Sequence, residues 1–378
     1  MKARIERKEL EKVTKEIGSV VEKRKLQWAL NLIKVSGKDG KLEVVGSNYD
    51  IWLYGYLDCE LDEPGAFIVD GKLFPKIISS VQGDIVELTT AETYVDLNCG
   101  KSSYRLQFPG DAEEFPQPEE GRTKGETFEI TPDILEKGVR SVSFCCATED
   151  IRPEFTGVLI DGGEIMGNLN FVASDCSILA LSTFPIDNPF HGELLVPNQA
   201  LQRLLNCCRG ADKVKITQTT NDLLRAEVYL NDELKWQLIS RSITRPFPNY
   251  AQVIPCDGFV CNVRVKADDL LKAIKRGTVL EDKIDRIKLE AKEDTLILTN
   301  KTTEGEFKEE LPADIEGSGV WAFNPKYLID TLSIILNSNN KAEAILKLRG
   351  QTESAIIESK SIPEWQCIVM PMNIPEYF

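Results

Sequence analysis

The sequence is short of the groups that do chemistry. Its 378 residues include one histidine, His191. It has no Cys-x-x-Cys, no phosphate-binding loop and no Gly-x-Gly-x-x-Gly, so catalysis with a nucleotide, a cofactor or a metal has no support. His191 sits beside Gly192 in a polar segment, as a lone surface histidine would. The carboxylate pairs Asp58/Glu60 and Asp62/Glu63 fall in a turn and read as solvated. Cys256 and Cys261 bracket four residues of a connecting segment, a weak zinc pattern. No apolar run reaches the roughly 18–20 residues of a membrane span. Near the N-terminus Lys and Arg are mixed with Glu6, Glu9, Glu11, Glu16 and Glu22, unlike a signal or transit peptide. A cytoplasmic address is therefore expected, without a membrane. The ten cysteines form no spaced disulfide framework, and the adjacent pairs Cys145-Cys146 and Cys207-Cys208 read as small buried hydrophobes. Positive charge is also scarce: 45 Lys and Arg against 60 Asp and Glu, a net charge of −15. That excludes a protein gripping nucleic acid with its whole surface, but not one with a local basic face. No enzyme, cofactor or metal site is expected.

What the chain has is repetition. Gly65, Gly192 and Gly319 stand 127 residues apart. Val69, Phe74, Ile78 and Val81 follow the first; Val196, Leu201, Leu205 and Cys208 the second; Phe323, Leu328, Leu332 and Ile335 the third, all in register. A polar turn residue (Asp70, Pro197, Asn324) separates strand from helix each time. This is one strand and one amphipathic helix written three times, and a whole-domain repeat fixes the architecture. Leu-x-Lys recurs in a helix-like stretch opening each third, at Leu10/Lys12, Leu135/Lys137 and Leu270/Lys272. Phe115-Pro116, Phe247-Pro248 and Met370-Pro371 close the thirds. The expected domains are 1–120, 128–250 and 256–378, each with two helices on antiparallel sheets, an α+β fold. In the first, a helix over 7–21 precedes strands near 30–35, 41–45 and 51–57, and later strands near 85–89, 94–97 and 104–108. Polar, proline-containing linkers are expected over 111–127 and 245–259.

Helical spacing sorts the charges. Lys8, Lys12 and Lys15 oppose Leu10, Val13 and Ile17; Lys137 and Arg140 oppose Leu135, Val139 and Val142; Lys272, Lys275 and Arg276 oppose Leu270, Leu271 and Ile274. In the second helices Lys72 and Lys76 oppose Phe74, Ile77 and Val81, and Arg203 opposes Leu201, Leu204 and Leu205. Lys326 departs, sharing its face with Asp330. Any soluble helix turns charge outward; five of six favouring the positive sign in an acidic chain points further. Three such domains leave open sheet edges at both ends, and joining two copies head to tail would close a ring. Helices lining the hole would offer Lys and Arg to a phosphate backbone without reading sequence. The edge with Tyr104 and Leu106 is expected to meet, in a second copy, an edge near Val279 and Leu280.

Several stretches are similar to a known family. They are Arg152-Pro-Glu-Phe-Thr-Gly157, Val172-Ala-Ser-Asp-Cys-Ser-Ile-Leu-Ala180, Phe247-Pro-Asn-Tyr250 with Val253-Ile-Pro255, and Val369-Met-Pro-Met372. Over its full length the chain resembles the bacterial sliding clamp, the beta subunit of DNA polymerase III. It departs where the family has Thr-Asp-Gly-His-Arg-Leu-Ala and this chain has Ser174-Asp-Cys-Ser-Ile-Leu-Ala180, and it continues through residues 375–378. The resemblance implies a head-to-tail dimeric ring around duplex DNA. It also implies a groove between the second and third domains for peptides of the polymerase alpha subunit, the clamp loader and other DNA-processing proteins. By motif position the groove would use Phe155, Ser174, Cys176, Ser177, Ile178, Leu179, Pro248, Gln252, Val253, Ser354, Ile368, Val369, Met370, Pro371 and Met372. Met and Pro suit a surface shared by many partners. Read without the resemblance, Val369 and Met370 end a core strand. The competing reading is a non-enzymatic three-domain scaffold that binds only proteins.

Overall fold

The computed structural model describes residues 1–21, 31–119, 121, 127–149, 151–163, 167–186, 192–280 and 286–374. His191, Glu22, the expected strand start at Leu30 and the tail 375–378 lie outside the described residues. Six α-helices occur among the described residues, two in each third: α1 (Arg7–Val20), α2 (Leu73–Ser80), α3 (Pro132–Val142), α4 (Asn198–Cys207), α5 (Ala267–Gly277) and α6 (Pro325–Ser338).

The twelve apolar positions of the 127-residue repeat are all buried, none more than 5% exposed. The turn residues show why strand passes to helix there. The Asp70 carboxylate accepts from the amides of Lys72 and Leu73 at 2.8 and 2.7 Å, and the Asn324 side chain accepts from Lys326 N at 2.9 Å, capping α2 and α6. Pro197 precedes α4 without a side-chain cap. The glycines recur for different reasons. Gly65 and Gly192 have φ of 157° and 132°, open to a residue without Cβ. At Gly319 a Cβ would stand 2.4 Å from the Trp321 ring.

By packing, the chain forms two compact units: Met1–Glu136 with Val196–Thr244, and Lys137–Leu195 with Arg245–Phe378. The first holds a five-stranded sheet in the order Glu60–Glu63, Lys2–Glu6, Ile85–Thr90, Tyr94–Cys99, Ser102–Gln107. It also holds an eight-stranded sheet in which strands 213–241 of the second third continue onto strands 32–70 of the first, joined where Glu233–Arg241 pairs with Ile51–Asp58. Leu32, Val45, Trp52, Tyr54, Ile68, Phe115, Leu223 and Ile239 form a buried cluster there. The first closing dipeptide belongs to it: Phe115 is buried and the Pro116 carbonyl accepts from Trp52 Nε1 at 3.0 Å.

The second unit holds a four-stranded sheet (Glu306–Pro312, Thr295–Lys301, Ile287–Lys292, Gly319–Phe323) and most of a nine-stranded one, joined where Ile178–Pro185 pairs with Trp365–Val369. The two units cut across the expected second domain because its two halves share sheets with different neighbours.

Burial pushes the Cys146 and Cys208 thiols up to about 12, and Cys145 and Cys207 also well up. These thiols are held protonated and inert. Cys261 is buried in a strand while Cys256 is exposed.

Candidate partner-binding groove

The groove begins at a hairpin. Between strands Asn168–Ser174 and Ile178–Pro185 the chain reverses through Asp175, Cys176 and Ser177. The Asp175 carboxylate accepts from Ser177 N at 2.8 Å and Ile178 N at 3.0 Å, and Ser174 Oγ accepts from Cys176 N at 3.1 Å and donates to the Ile178 carbonyl at 2.8 Å. These bonds hold Cys176 at a φ of 80°, a region that L-residues other than glycine enter at a cost. The other Asp175 oxygen accepts from the Tyr327 hydroxyl of α6 at 2.8 Å. Burial, together with Asp175, pushes that phenol up to about 12.

The same turn stands one repeat earlier. Asn48 accepts from Asp50 N and Ile51 N at 3.1 and 2.8 Å, and Tyr49 takes a φ of 71°. A step of 127 carries Tyr49 to Cys176 and Trp52 to Leu179. So the two sheet joints are built alike. In the first, Trp52 and Phe115 fill the space beside the joint; in the second, Leu179 is smaller and a cavity of about 490 Å³ opens.

Its floor is apolar: Phe155, Ile178, Leu179, Phe247 and Ile368 are each less than 10% exposed. Leu179 lies opposite Ile368 in the ladder, which Met370 N extends by donating to the Ser177 carbonyl at 2.9 Å. Strand alternation turns Ile368 and Met370 toward the cavity and Val369 into the core, fully buried. Met370 and Val253 keep 40% and 54% exposure. The Phe247 ring meets Phe155 edge-on at 5.8 Å, and the Arg152 guanidinium lies 5.4 Å from the Phe155 centroid. Burial raises the Cys176 thiol, with Arg152 pulling the other way.

Of the expected groove residues, Phe155, Ser174, Cys176, Ser177, Ile178, Leu179, Pro248, Gln252, Val253, Ser354, Ile368 and Met370 line this cavity together. Three do not. Val369 points into the core, and Pro371 and Met372 have passed the cavity, where Met372 N donates to the Ala322 carbonyl at 2.7 Å. Phe247, Asn249, Tyr250, Pro255, Arg349 and Glu353 join the lining unforeseen. Phe247 and Tyr250 belonged to a quoted motif. Nothing in the sequence marked Arg349 or Glu353, which reach the wall through a turn. The expected linker 245–259 is thus largely a groove wall, held by the Tyr250 hydroxyl donating to Asp161 at 2.6 Å.

The other expected sites are spread over the helices. Lys8, Lys12, Lys15, Lys76, Lys137, Arg140, Lys272, Lys275 and Arg276 are exposed, and Lys72 and Arg203 are half-buried. Lys72 Nζ donates to the Gly18 carbonyl at 2.7 Å, binding α2 to the end of α1. Lys272 pairs with Asp268 at 2.6 Å, and Arg276 with Glu309 at 2.9 Å. Tyr104 and Leu106 lie on the outer strand of the five-stranded sheet. The expected partner edge needs correction. Val279 and Leu280 are not on a strand: they form the turn after α5, where Val279 is 76% exposed. The outer strand beside them is Glu306–Pro312, and Leu280 packs near Gly305 just before it. An apolar Thr-Val-Leu reads as a strand locally, but it ends a helix.

Two models of one protein match this chain: the N-terminal domain of the DNA polymerase III beta subunit over residues 1–118, and its C-terminal domain over 251–373. The chain belongs to the DNA polymerase III beta subunit family. It is similar to the beta sliding clamp of Staphylococcus epidermidis, 26% identical over 360 residues, covering 90% of this chain and 91% of that one. The Staphylococcus aureus beta sliding clamp is 25% identical over the same length. Among solved structures, a sliding clamp from Pseudomonas aeruginosa bound to griselimycin superposes with a TM-score of 0.90 at 24% identity, covering 99% of this chain and all of that one. The beta subunit of Thermotoga maritima gives 0.89 at 23% with the same coverage. Those structures establish the beta-subunit fold. Within it, the Cys176 and Ile178 substitutions fall in the cavity wall, the one Arg of the quoted family motif being replaced by a side chain only 2% exposed.

Proposed function

We propose that this chain is a DNA sliding clamp, a processivity factor that encircles duplex DNA and tethers polymerase to it. Two copies join head to tail, so that the three repeats become six around a hole. Holding is topological: Lys and Arg of the helices, including Lys12, Lys137 and Lys272, meet phosphates weakly and read no bases. The groove takes a short apolar peptide segment from the polymerase alpha subunit, the clamp loader or other DNA-processing proteins, and the clamp itself catalyses nothing. It acts in the cytoplasm.

The observation that carries this reading is the match of both ends of one subunit to both ends of this chain. The apolar cavity supports it. It is lined by a mobile-natured Met at its rim and aromatic rings at its floor, a surface suited to inserted Leu and Phe side chains. Primer extension with loader and limiting polymerase on a long template tests it. Adding the chain should lengthen products many-fold. Unchanged product length, with peptide still bound in the groove, would instead support the scaffold that binds only proteins.

A further inference from the structure

One charged pair lies in the wall of the apolar groove, and it is incompletely satisfied. Arg349 follows the strand Glu343–Leu348, and its carbonyl accepts from Trp321 Nε1 at 2.8 Å, which fixes the backbone. Gly258, at a φ of 77°, presses on the guanidinium: a Cβ there would stand 3.1 Å from Nε and 3.2 Å from Nη2. Glu353, half-exposed, reaches Nη2 at 3.3 Å with one oxygen while its other accepts from Gly350 N at 2.9 Å. Arg349 Nε is shut off from solvent and has no acceptor among the described residues.

A buried N–H without an acceptor is a standing cost, removed when a ligand brings the missing oxygen. Nε and a neighbouring Nη form two parallel donors spaced for the two oxygens of a carboxylate. Glu353 uses only one of them and is tied to the surface turn. Nearby, the Arg152 guanidinium over Phe155 adds a second positive group at the same groove. An acidic group is therefore favoured there over a neutral amide, and the apolar surroundings strengthen the difference.

We propose that Arg349 selects partners whose groove-binding segment carries a carboxylate beside its apolar anchors. This rests on the groove being the peptide site. The carboxylate has two sources, an Asp or Glu side chain within the segment or the C-terminus of a partner whose chain ends there.

Both are separated by four peptides ending in Leu-Phe, with Asp or Asn inside and with a free or amidated C-terminus, titrated by fluorescence anisotropy. On the wild-type chain one carboxylate-bearing form should bind about fivefold or more tightly than its neutral counterpart. The Asp/Asn contrast or the acid/amide contrast names the source. Arg349→Gln should bring the two forms to equal affinity, and Arg349→Lys, keeping charge without the fork, should retain part of the preference. A ratio within one variant does not depend on how much of it is folded. No preference on the wild type, or the same preference in Arg349→Gln, would overturn the inference while leaving the groove in place. Failure of every peptide to bind, or binding unaffected by Met370→Ala, would remove the groove reading and the inference with it.

Discussion

Cys176 is the residue where this chain's departure from its family has a visible physical consequence. Its φ of 80° is set by Ser174 and Asp175 around it, and a glycine would occupy it without strain. Melting temperatures should fall in the order Cys176→Gly, wild type, Cys176→Val. The β-branched side chain is the worst fit to a left-handed backbone, and the gain from Gly is held to about 1 kcal/mol by the added freedom of the unfolded chain. The reverse order, seen by calorimetry, would mean that the turn is not held this way. In the floor and rim, Leu179→Ala and Met370→Ala should each weaken a Leu-Phe peptide by more than about 1 kcal/mol, because buried apolar anchors dominate such sites. Equal affinities for wild type and both variants would make the Met-Pro-Met segment only the end of a core strand. A third residue concerns pH. Burial raises the Asp330 carboxyl, with Lys326 opposing. A raised acid pKa favours the protonated fold, so its stability is present at low pH and lost as pH rises through the folded value. Asp330→Asn should therefore raise the melting temperature near neutral pH and lose that advantage below the ordinary carboxylate range of about 4. A constant gain at every pH would assign the effect to packing.

At the scale of elements, what the sequence made legible was whatever repeats or has a period. Leu10, Val13 and Ile17 on α1, and the twelve positions of the 127-residue step, are buried as helical and strand spacing require. Asp70 and Asn324 were legible as turns because capping is local chemistry. What was not legible depends on contacts between distant elements. Arg349 and Glu353 carry no local signal, since a surface turn and a groove wall use the same residue types. Val279 and Leu280 misled because an apolar triplet does not reveal that a helix has just ended. The closing dipeptides were seen as punctuation, but their role is packing: Phe115 fills the first joint, while Phe247 and Met370 line the second. That contrast is testable. Leu179→Trp places in the second joint the residue that Trp52 is in the first. It should give a folded protein whose peptide affinity drops more than about tenfold, as a buried indole takes up the cavity. Undiminished binding by titration calorimetry would mean the two joints are not equivalent. At the outer strand Ser102–Gln107, Leu106→Lys should leave a folded monomer in light scattering, since an inward charge blocks edge pairing. A dimer of twice 42.4 kDa would place the contact elsewhere.

For the whole molecule the question is how a chain of net charge −15 keeps hold of a polyanion. Its Lys and Arg are concentrated on outward helix faces, and several are already engaged by protein partners, Lys272 with Asp268 and Arg276 with Glu309. Such a surface gives weak, salt-sensitive attraction and not tight binding. Retention must then come from closure. Reversing Lys12, Lys137 and Lys272 together to Glu should slow loading and shorten retention without lowering the melting temperature. The most direct measurement places the loaded chain on a nicked circular duplex and isolates the complex by gel filtration. It should stay bound through a wash in high salt, and one cut that linearises the circle should release it from the ends. Loss from the intact circle in salt, or retention after the cut, would contradict a ring that holds DNA by encircling it.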